Sequence, residues 1–186
     1  MNVLVTGATG YIGGRLVPSL LDAGHRVRVL VREADPVKGR PWEHDVEIVQ
    51  GALLKPETLD AAVRGIDAAY YLVHSRYGGA DFVLRDRDAG SHFVAACRNA
   101  SASEHGGPRH VVYLGGLEPN GQPTKSAHLQ SRAEVGRMLA EGGGAARPDG
   151  VAPCGGSEFR AGPIIGSGAA SFEMVRYLTE RLPVMV

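Results

Sequence analysis

The sequence predicts a doubly wound α/β fold, in which a parallel sheet of strand order 3-2-1-4-5-6 carries helices on both faces. Short apolar runs rich in β-branched residues alternate with amphipathic helical segments along the 186 residues. This alternation is typical of parallel strands joined by right-handed crossovers. A glycine-rich turn follows the first run, and the fourth run crosses to the other side of the first strand. We therefore expect one domain over residues 1–186.

The first strand, the turn and the first helix form the most informative stretch. Residues 3–5 form a run expected in a strand buried on both faces, and from residue 12 the apolar period becomes helical. Gly7 permits a tight turn, Gly10 lets backbone approach a pyrophosphate, and Gly13 lets the helix pack closely on the strand. The helix N-terminus offers N–H groups and partial positive charge to phosphates. This spacing predicts a dinucleotide site, although a turn of this kind that binds nothing is the alternative.

The second strand is predicted over residues 26–31, and Arg32 follows it directly. This position lies about 20 residues beyond the glycine turn, where an acidic residue would bind the free 2′-hydroxyl of the adenosine ribose. Arginine suits a 2′-phosphate through its charge and planar donors. The sequence therefore predicts NADP(H) as the preferred cofactor, with NAD(H) possible. An ordinary solvated arginine is the alternative interpretation.

The later elements follow the same alternation. A Gly-, Ala- and Pro-rich stretch without periodicity, residues 142–156, is predicted to be a flexible insertion. The predicted strands and helices after residue 45 are strand 46–49, helix 56–63, strand 67–73, a helix through residues 85–97, strand 109–114, a helix from residue 126, a strand near 157–161 and helix 172–182.

Composition excludes several classes of function. The formal net charge is zero, which gives no electrostatic case for nucleic acid or an anionic membrane, and no apolar run approaches the length of a membrane span. Cys97 falls on the apolar face of a predicted helix, and Cys154 is predicted in a loop, where exposure is possible. The two cysteines show no metal-ligand spacing, so we expect no metal site and a reducing cytoplasm.

Four blocks of sequence resemble a known family. They are residues 6–14, residues 70–75, residues 112–117 and residues 159–166. Together they are similar to the extended and atypical branches of the short-chain dehydrogenase/reductase superfamily, and most of all to NmrA-like NAD(P)-binding, nucleoside-diphosphate-sugar epimerase-like proteins. Members of that family continue further, so the resemblance implies that the substrate-binding C-terminal part is absent from this chain.

The resemblance also implies a set of cofactor contacts. Ala52 stands where family members usually have an aspartate that meets the adenine amino group, so that hydrogen bond is lost. His74 would lie beside the nicotinamide ribose, although a loop histidine bonded to backbone is an equal alternative. The implied cofactor-binding residues are Gly7, Thr9, Gly10, Tyr11, Ile12, Gly13, Arg32, Ala52, Leu53, Leu72, Val73, His74, Gly115 and Arg132.

The family's catalytic residues are replaced. Short-chain reductases carry a serine at the end of the fifth strand, where this chain has Gly115 and Gly116. Their Tyr-x-x-x-Lys pair corresponds here to His128 and Arg132, one helical turn apart. His128 offers an alternative proton carrier, and Arg132 can bind ribose or phosphate but cannot shuttle protons. The competing interpretation makes both of them plain helix residues.

Two functions follow from this pattern. The first is an NADP-dependent oxidoreductase that acts on an unknown, carbonyl-like small molecule. The alternative is a non-catalytic protein that senses NADP(H) or supports the assembly of a complex with a protein partner. A sugar-nucleotide epimerase shares the fold but also needs the missing tyrosine.

Overall fold

The computed structural model describes residues 1–75, 81–117, 126–142 and 154–182. The strands are Asn2–Thr6 (β1), Arg26–Val31 (β2), Val46–Gln50 (β3), Ala68–Tyr71 (β4), His110–Gly116 (β5) and Gly155–Ala161 (β6). The helices are Gly13–Asp22 (α1), Leu59–Val63 (α2), Phe82–Ser101 (α3), Ala127–Ala140 (α4) and Ala170–Arg181 (α5). All strand pairs are parallel and the order is β3-β2-β1-β4-β5-β6, so the predicted α/β fold and strand order are confirmed.

Alternation along β1 divides the core between the two faces of the sheet. Val3 and Val5 pack in one apolar cluster with Val17 of α1. Leu4 belongs to the other cluster, which contains Phe93 of α3 and residues of α2 and α4. Because successive side chains of a strand point to opposite faces, one buried strand anchors both layers of helices.

The structure differs from the sequence-based boundaries at several elements. β5 continues through Gly116, so both glycines expected to follow this strand lie within it. α3 continues to Ser101, beyond the predicted helix through residues 85–97. Cys154 is buried rather than exposed, because it lies directly before β6 and packs in the same cluster as Phe93. The helical period of α5 is present, but Val175 and other apolar side chains of this helix are exposed.

Most of the predicted 142–156 insertion, residues 143–153, lies outside the described residues. The apolar residues 184–186 lie outside them as well. None of the described helices combines the length and apolar character needed to cross a membrane.

Candidate functional site

The glycine turn holds backbone against backbone at the carboxyl end of β1. Gly7 has φ +74°, and a Cβ there would lie 3.2 Å from the backbone of Leu72, just beyond β4. A Cβ on Gly13 would lie 2.7 Å from Ala8 Cα, so α1 packs directly on the turn. Both positions therefore require glycine for the predicted reasons, conformation at Gly7 and close approach at Gly13.

The amide groups at the N-terminus of α1 lie at the open side of the glycine turn. Gly10 N–H donates to Gly7 O at 3.0 Å, and the helical hydrogen bonds begin with Gly14 N–H to Gly10 O at 2.9 Å. Amides that precede the first helical bonds face outwards and attract anions. Ile12 precedes α1 as its N-terminal cap residue, and Gly13 is its first residue. The residues present therefore fit a dinucleotide pyrophosphate.

Two arginines flank the turn, and the sequence indicated neither. Arg40 donates from Nη2 to Thr9 O at 2.8 Å. Arg15 lies over the Tyr11 ring, 3.7 Å from its centroid, and donates to Ser167 O at 3.2 Å. They border a cleft of about 390 Å³ that Thr9, Gly10 and Tyr11 also line. The cleft is therefore electropositive as well as rich in backbone donors.

The predicted ribose and adenine positions lie on β2 and after β3. Arg32 is exposed directly after β2, with no side-chain hydrogen bond or ion pair to any other described residue. The N–H of Ala52 donates to Thr58 Oγ1 at 3.1 Å. Leu53 is buried, and its carbonyl lies 3.1 Å from His92 Nδ1. Arg32 is thus available to a ligand, whereas the backbone N–H of Ala52 is already bonded.

The end of β4 connects the turn to the catalytic candidates. The buried hydroxyl of Thr6 donates to Tyr70 O at 3.2 Å and accepts from Leu72 N–H at 3.3 Å, which ties β1 to β4. The half-buried Leu72 and Val73 lead from there to His74, also half-buried. The rings of His74 and His128 meet edge to face, with centroids 5.8 Å apart. Two histidines predicted separately are therefore neighbours.

Arg132 reaches back from α4 to β5. Its Nη2 donates to Leu114 O at 2.8 Å, and its Nε is buried without a hydrogen-bond partner among the described residues. A Cβ on Gly116 would lie 3.6 Å from this Nε. The buried Gly115 instead faces the Glu158 carboxylate of β6, which a Cβ would strike. Arg132 thus lies beside the candidate site, while Gly115 has a close-packing role besides its predicted cofactor contact.

Asp86 is the site residue that sequence reasoning missed. It is only 7% exposed, and its Oδ1 accepts from the N–H of Ser75 at 2.9 Å and from the hydroxyl of Ser75 at 2.7 Å. Its Oδ2 accepts from Ser131 Oγ at 3.2 Å. Asp86 therefore ties the residue after His74 to the residue before Arg132. It lies among charged neighbours near the start of α3, and nothing in this run of residues distinguishes it from them.

Two tyrosines beside this carboxylate remain neutral. Burial, followed by the charge of Asp86, raises the pKa of Tyr71 above its usual range. Burial also raises the pKa of Tyr113 to about 12, although Arg132 opposes the change. The Tyr113 hydroxyl donates to Arg132 O at 3.1 Å. Neither phenol is therefore suited to proton transfer near neutrality.

A group of three or more potential metal ligands is not found within the described ranges 1–75, 81–117, 126–142 and 154–182. The main features of the candidate site are the glycine turn and the contact between His74 and His128.

Residues 7–146 match a family of proteins described as NAD(P)H-binding. Divinyl chlorophyllide a 8-vinyl-reductase of Zea mays is 38% identical over 113 residues, which cover 55% of this chain and 28% of that protein. Photosystem II assembly factor Ycf39 of Synechocystis is 43% identical over 69 residues, 37% of this chain and 21% of that protein. The matched part of each curated relative is thus under a third of its length.

The solved structure of Pen from Bacillus thuringiensis has the same fold, with a TM-score of 0.75 and 15% identity. The similarity covers 97% of this chain and 56% of that one. The family match extends over most of the chain and supports a nicotinamide dinucleotide cofactor. The chain therefore belongs to this family of NAD(P)H-binding proteins, as the resemblance of its sequence to NAD(P)-binding proteins predicted.

Proposed function

We propose that this chain is an NADP(H)-dependent oxidoreductase that acts on a carbonyl-like small molecule. The observation that carries the proposal is the contact between the rings of His74 and His128, whose centroids are 5.8 Å apart. His74 follows the end of β4, where the backbone of Leu72 packs against Gly7. This contact supports a role for His128 as proton donor, because it lies near the switch point of the sheet, where ligands of this fold bind.

The preference for NADP(H) is supported by the guanidinium groups near the turn. Arg32 lies exposed at the end of β2, and Arg40 donates to Thr9 O at 2.8 Å. A 2′-phosphate carries charge that planar, permanently charged donors bind well. We assign Arg32 as its main contact, with Arg40 holding the turn beside it.

His128 carries the proton in this proposal. When bound, the reduced nicotinamide supplies a hydride. His128 then donates a proton to the substrate oxygen, and His74 fixes the ring of His128 through their edge-to-face contact. Arg132 binds the ribose hydroxyls or a phosphate of the cofactor, because its guanidinium stays protonated and donates hydrogen bonds.

Cofactor titration tests the first half of the proposal. The purified chain is titrated with NADPH and with NADH, following nicotinamide fluorescence. We expect tighter binding of NADPH, and Arg32→Asp to weaken it about 10- to 100-fold through loss of charge-assisted hydrogen bonds. Arg26→Asp makes the same charge change at the opposite end of β2 and should leave the preference intact. Equal affinities in the wild-type chain would contradict the NADP assignment.

Turnover tests the second half. NADPH oxidation is followed with a panel of ketones and aldehydes, and we expect His128→Ala to abolish activity while binding persists. His44→Ala removes an exposed histidine that is distant from His128 in the sequence and should retain activity. Turnover that survives His128→Ala would contradict its role as proton donor.

A non-catalytic role in sensing NADP(H) or in complex assembly is the second candidate. The serine and the Tyr-x-x-x-Lys pair are replaced by Gly115, His128 and Arg132, and one similar protein is named as an assembly factor. Clear NADPH binding without turnover across the panel would favour this candidate. A cytoplasmic location belongs to either proposal and is supported by two free thiols, Cys97 and Cys154.

A further inference from the structure

The beginning of α3 lies against the histidine pair. Phe82, the first residue of this helix, packs on His128, with ring centroids 6.0 Å apart and ring planes inclined by 41°. His74 meets the same imidazole at an interplanar angle of 68°, with centroids 5.8 Å apart. The ring of His128 is therefore packed against rings from two different parts of the chain, α3 and the segment after β4.

Asp86 lies one helical turn after Phe82, and residues four apart share a face of a helix. Its buried carboxylate accepts hydrogen bonds at both oxygens, from the N–H and hydroxyl of Ser75 and from the hydroxyl of Ser131. Hydrogen bonds to a carboxylate are stronger than bonds between neutral groups, and a satisfied buried network is rigid. The carboxylate therefore holds both serines in place.

The two serines are close to the histidines in the sequence. Ser75 directly follows His74, so its backbone bond to Asp86 fixes the main chain beside the residue that carries the first imidazole. Ser131 lies three positions after His128 in α4, and positions three apart are neighbours on the surface of a helix. A shift of either serine would therefore displace one imidazole relative to the other.

We propose that Phe82 and Asp86 are positioning residues that keep the imidazoles of His74 and His128 in contact. Phe82 restricts the ring of His128 directly, and Asp86 restricts the segments that carry both rings. The importance of this contact for catalysis rests on the proposed function, in which His128 donates a proton. Catalytic groups need to be held within about 0.5 Å of their productive positions, and a misplacement of 1 Å can cost about 100-fold in rate.

The packing of α3 on α4 has further contacts that these two side chains do not supply. A Cβ on Gly90 of α3 would lie 3.1 Å from Met138 Cε and 3.5 Å from Val135 Cγ1, so the two helices are also in close contact further along. Arg87 pairs with Glu134 at their surface, with 2.7 Å between Nε and Oε1. Substitutions at the beginning of α3 should therefore disturb the histidine contact before they separate the helices.

Nuclear magnetic resonance of the purified chain tests the placement without any turnover. The imidazole resonances are assigned with His74→Gln and His128→Gln. We expect a nuclear Overhauser effect between the two rings in the wild-type chain, and its loss in Phe82→Ala and in Asp86→Ala. Asp86→Asn keeps an oxygen acceptor and gains an amide donor, so this variant should retain the effect. An effect that persists in both alanine variants would overturn the proposal.

Two exposed neighbours on α3 supply matched controls. Leu84→Ala and Asp88→Asn should leave the effect between the histidine rings unchanged. Its loss in these controls as well would overturn the assignment to Phe82 and Asp86. Circular dichroism verifies folding. Should Asp86→Ala not fold, Ser131→Ala takes its place, because it removes only one hydrogen bond of the carboxylate, and it should weaken the effect.

Steady-state kinetics tests whether the placement serves the proposed function. For reduction of a ketone or aldehyde, we expect Phe82→Ala and Asp86→Ala to lower kcat about 10- to 100-fold with little change in the KM for NADPH. Asp86→Asn should recover most of kcat, which a loss of stability alone does not predict. An unchanged kcat in a variant without the ring contact would overturn the positioning role. Absence of turnover in the wild-type chain would overturn the proposed function alone, because the resonance experiment still decides the placement.

Discussion

Two parts of the candidate site at the carboxyl edge of the sheet are built differently. At the turn after β1, the site is made of backbone, with Gly7 and Gly13 held within van der Waals distance of their neighbours. Towards β4 and β5, it is made of side chains, namely His74 and His128 with Asp86 behind them. A backbone site tolerates almost no added atoms, whereas a side-chain site depends on contacts between distant elements.

Gly13→Ala is expected to have the largest effect, because its Cβ would meet the backbone of Gly7 and Ala8. Overpacking against backbone costs about 1–3 kcal/mol or more and displaces the amides that face the phosphates. We expect NADPH affinity to fall at least about 100-fold in a fluorescence titration. Unchanged affinity in a folded variant would show that the backbone side is more tolerant than its packing indicates.

Asp86→Ala tests the part of the site that is made of side chains. Removal of the carboxylate leaves the Ser75 N–H and the hydroxyls of Ser75 and Ser131 without their acceptor in a buried place. We expect a loss of about 3 kcal/mol in the free energy of unfolding, measured in urea. Asp88→Ala removes an exposed carboxylate from the same helix and should change stability by less than about 0.5 kcal/mol. Equal behaviour of the two variants would contradict the role of Asp86.

Alkaline pH tests whether Tyr113 stays neutral in the folded chain. The pKa of Tyr113 is raised from 10.0 to about 12 in the folded chain. Between these values the unfolded chain releases the proton and the folded chain keeps it, so stability falls as pH rises. The loss from Tyr113 is at most about 2.7 kcal/mol. Tyr113→Phe should flatten the dependence of the urea midpoint on pH in this window, and an unchanged slope would contradict it.

Gly136→Ala, in α4, is expected to have the smallest effect. Its Cβ would lie 2.7 Å from Glu158 Oε1 and 3.2 Å from Tyr113 Cε1, which are side-chain atoms rather than backbone. Alanine also gains about 1 kcal/mol of helix propensity. We expect the free energy of unfolding to change by less than about 1 kcal/mol and NADPH affinity to be unchanged. A loss as large as that of Gly13→Ala would remove the contrast between the two halves.

The contrast also explains what the sequence could predict. The strand order was predictable because the apolar periodicity that marks strands and helices is local in the sequence. The turn was predictable because the roles of Gly7, Gly10 and Gly13 depend on their spacing. His74 and His128 were named singly, but nothing local indicated that they touch. Asp86 lies in a run of four charged residues, which favours exposure, and only its distant serine partners reveal why it is buried.

Other differences have a similar origin. Arg40 lies in a loop that contains proline and glycine and has no apolar periodicity. The sequence therefore contained no indication of its hydrogen bond to Thr9 O. The exposure of Val175 shows that a helical period identifies an apolar face without identifying what it packs against. Elements that depend on local pattern were therefore predictable, and contacts across the sheet were not.

The contact between Arg15 and Ser167 spans 152 positions and has a consequence for biosynthesis. A ribosome releases the glycine turn early, since chains emerge N-terminus first. The wall of the cleft formed by Ser167 and Gly168 arrives only after five further strands have been translated. A nascent chain therefore exposes the amides of the glycine turn long before this wall is present, and the cleft gains the wall only once residue 168 has been translated.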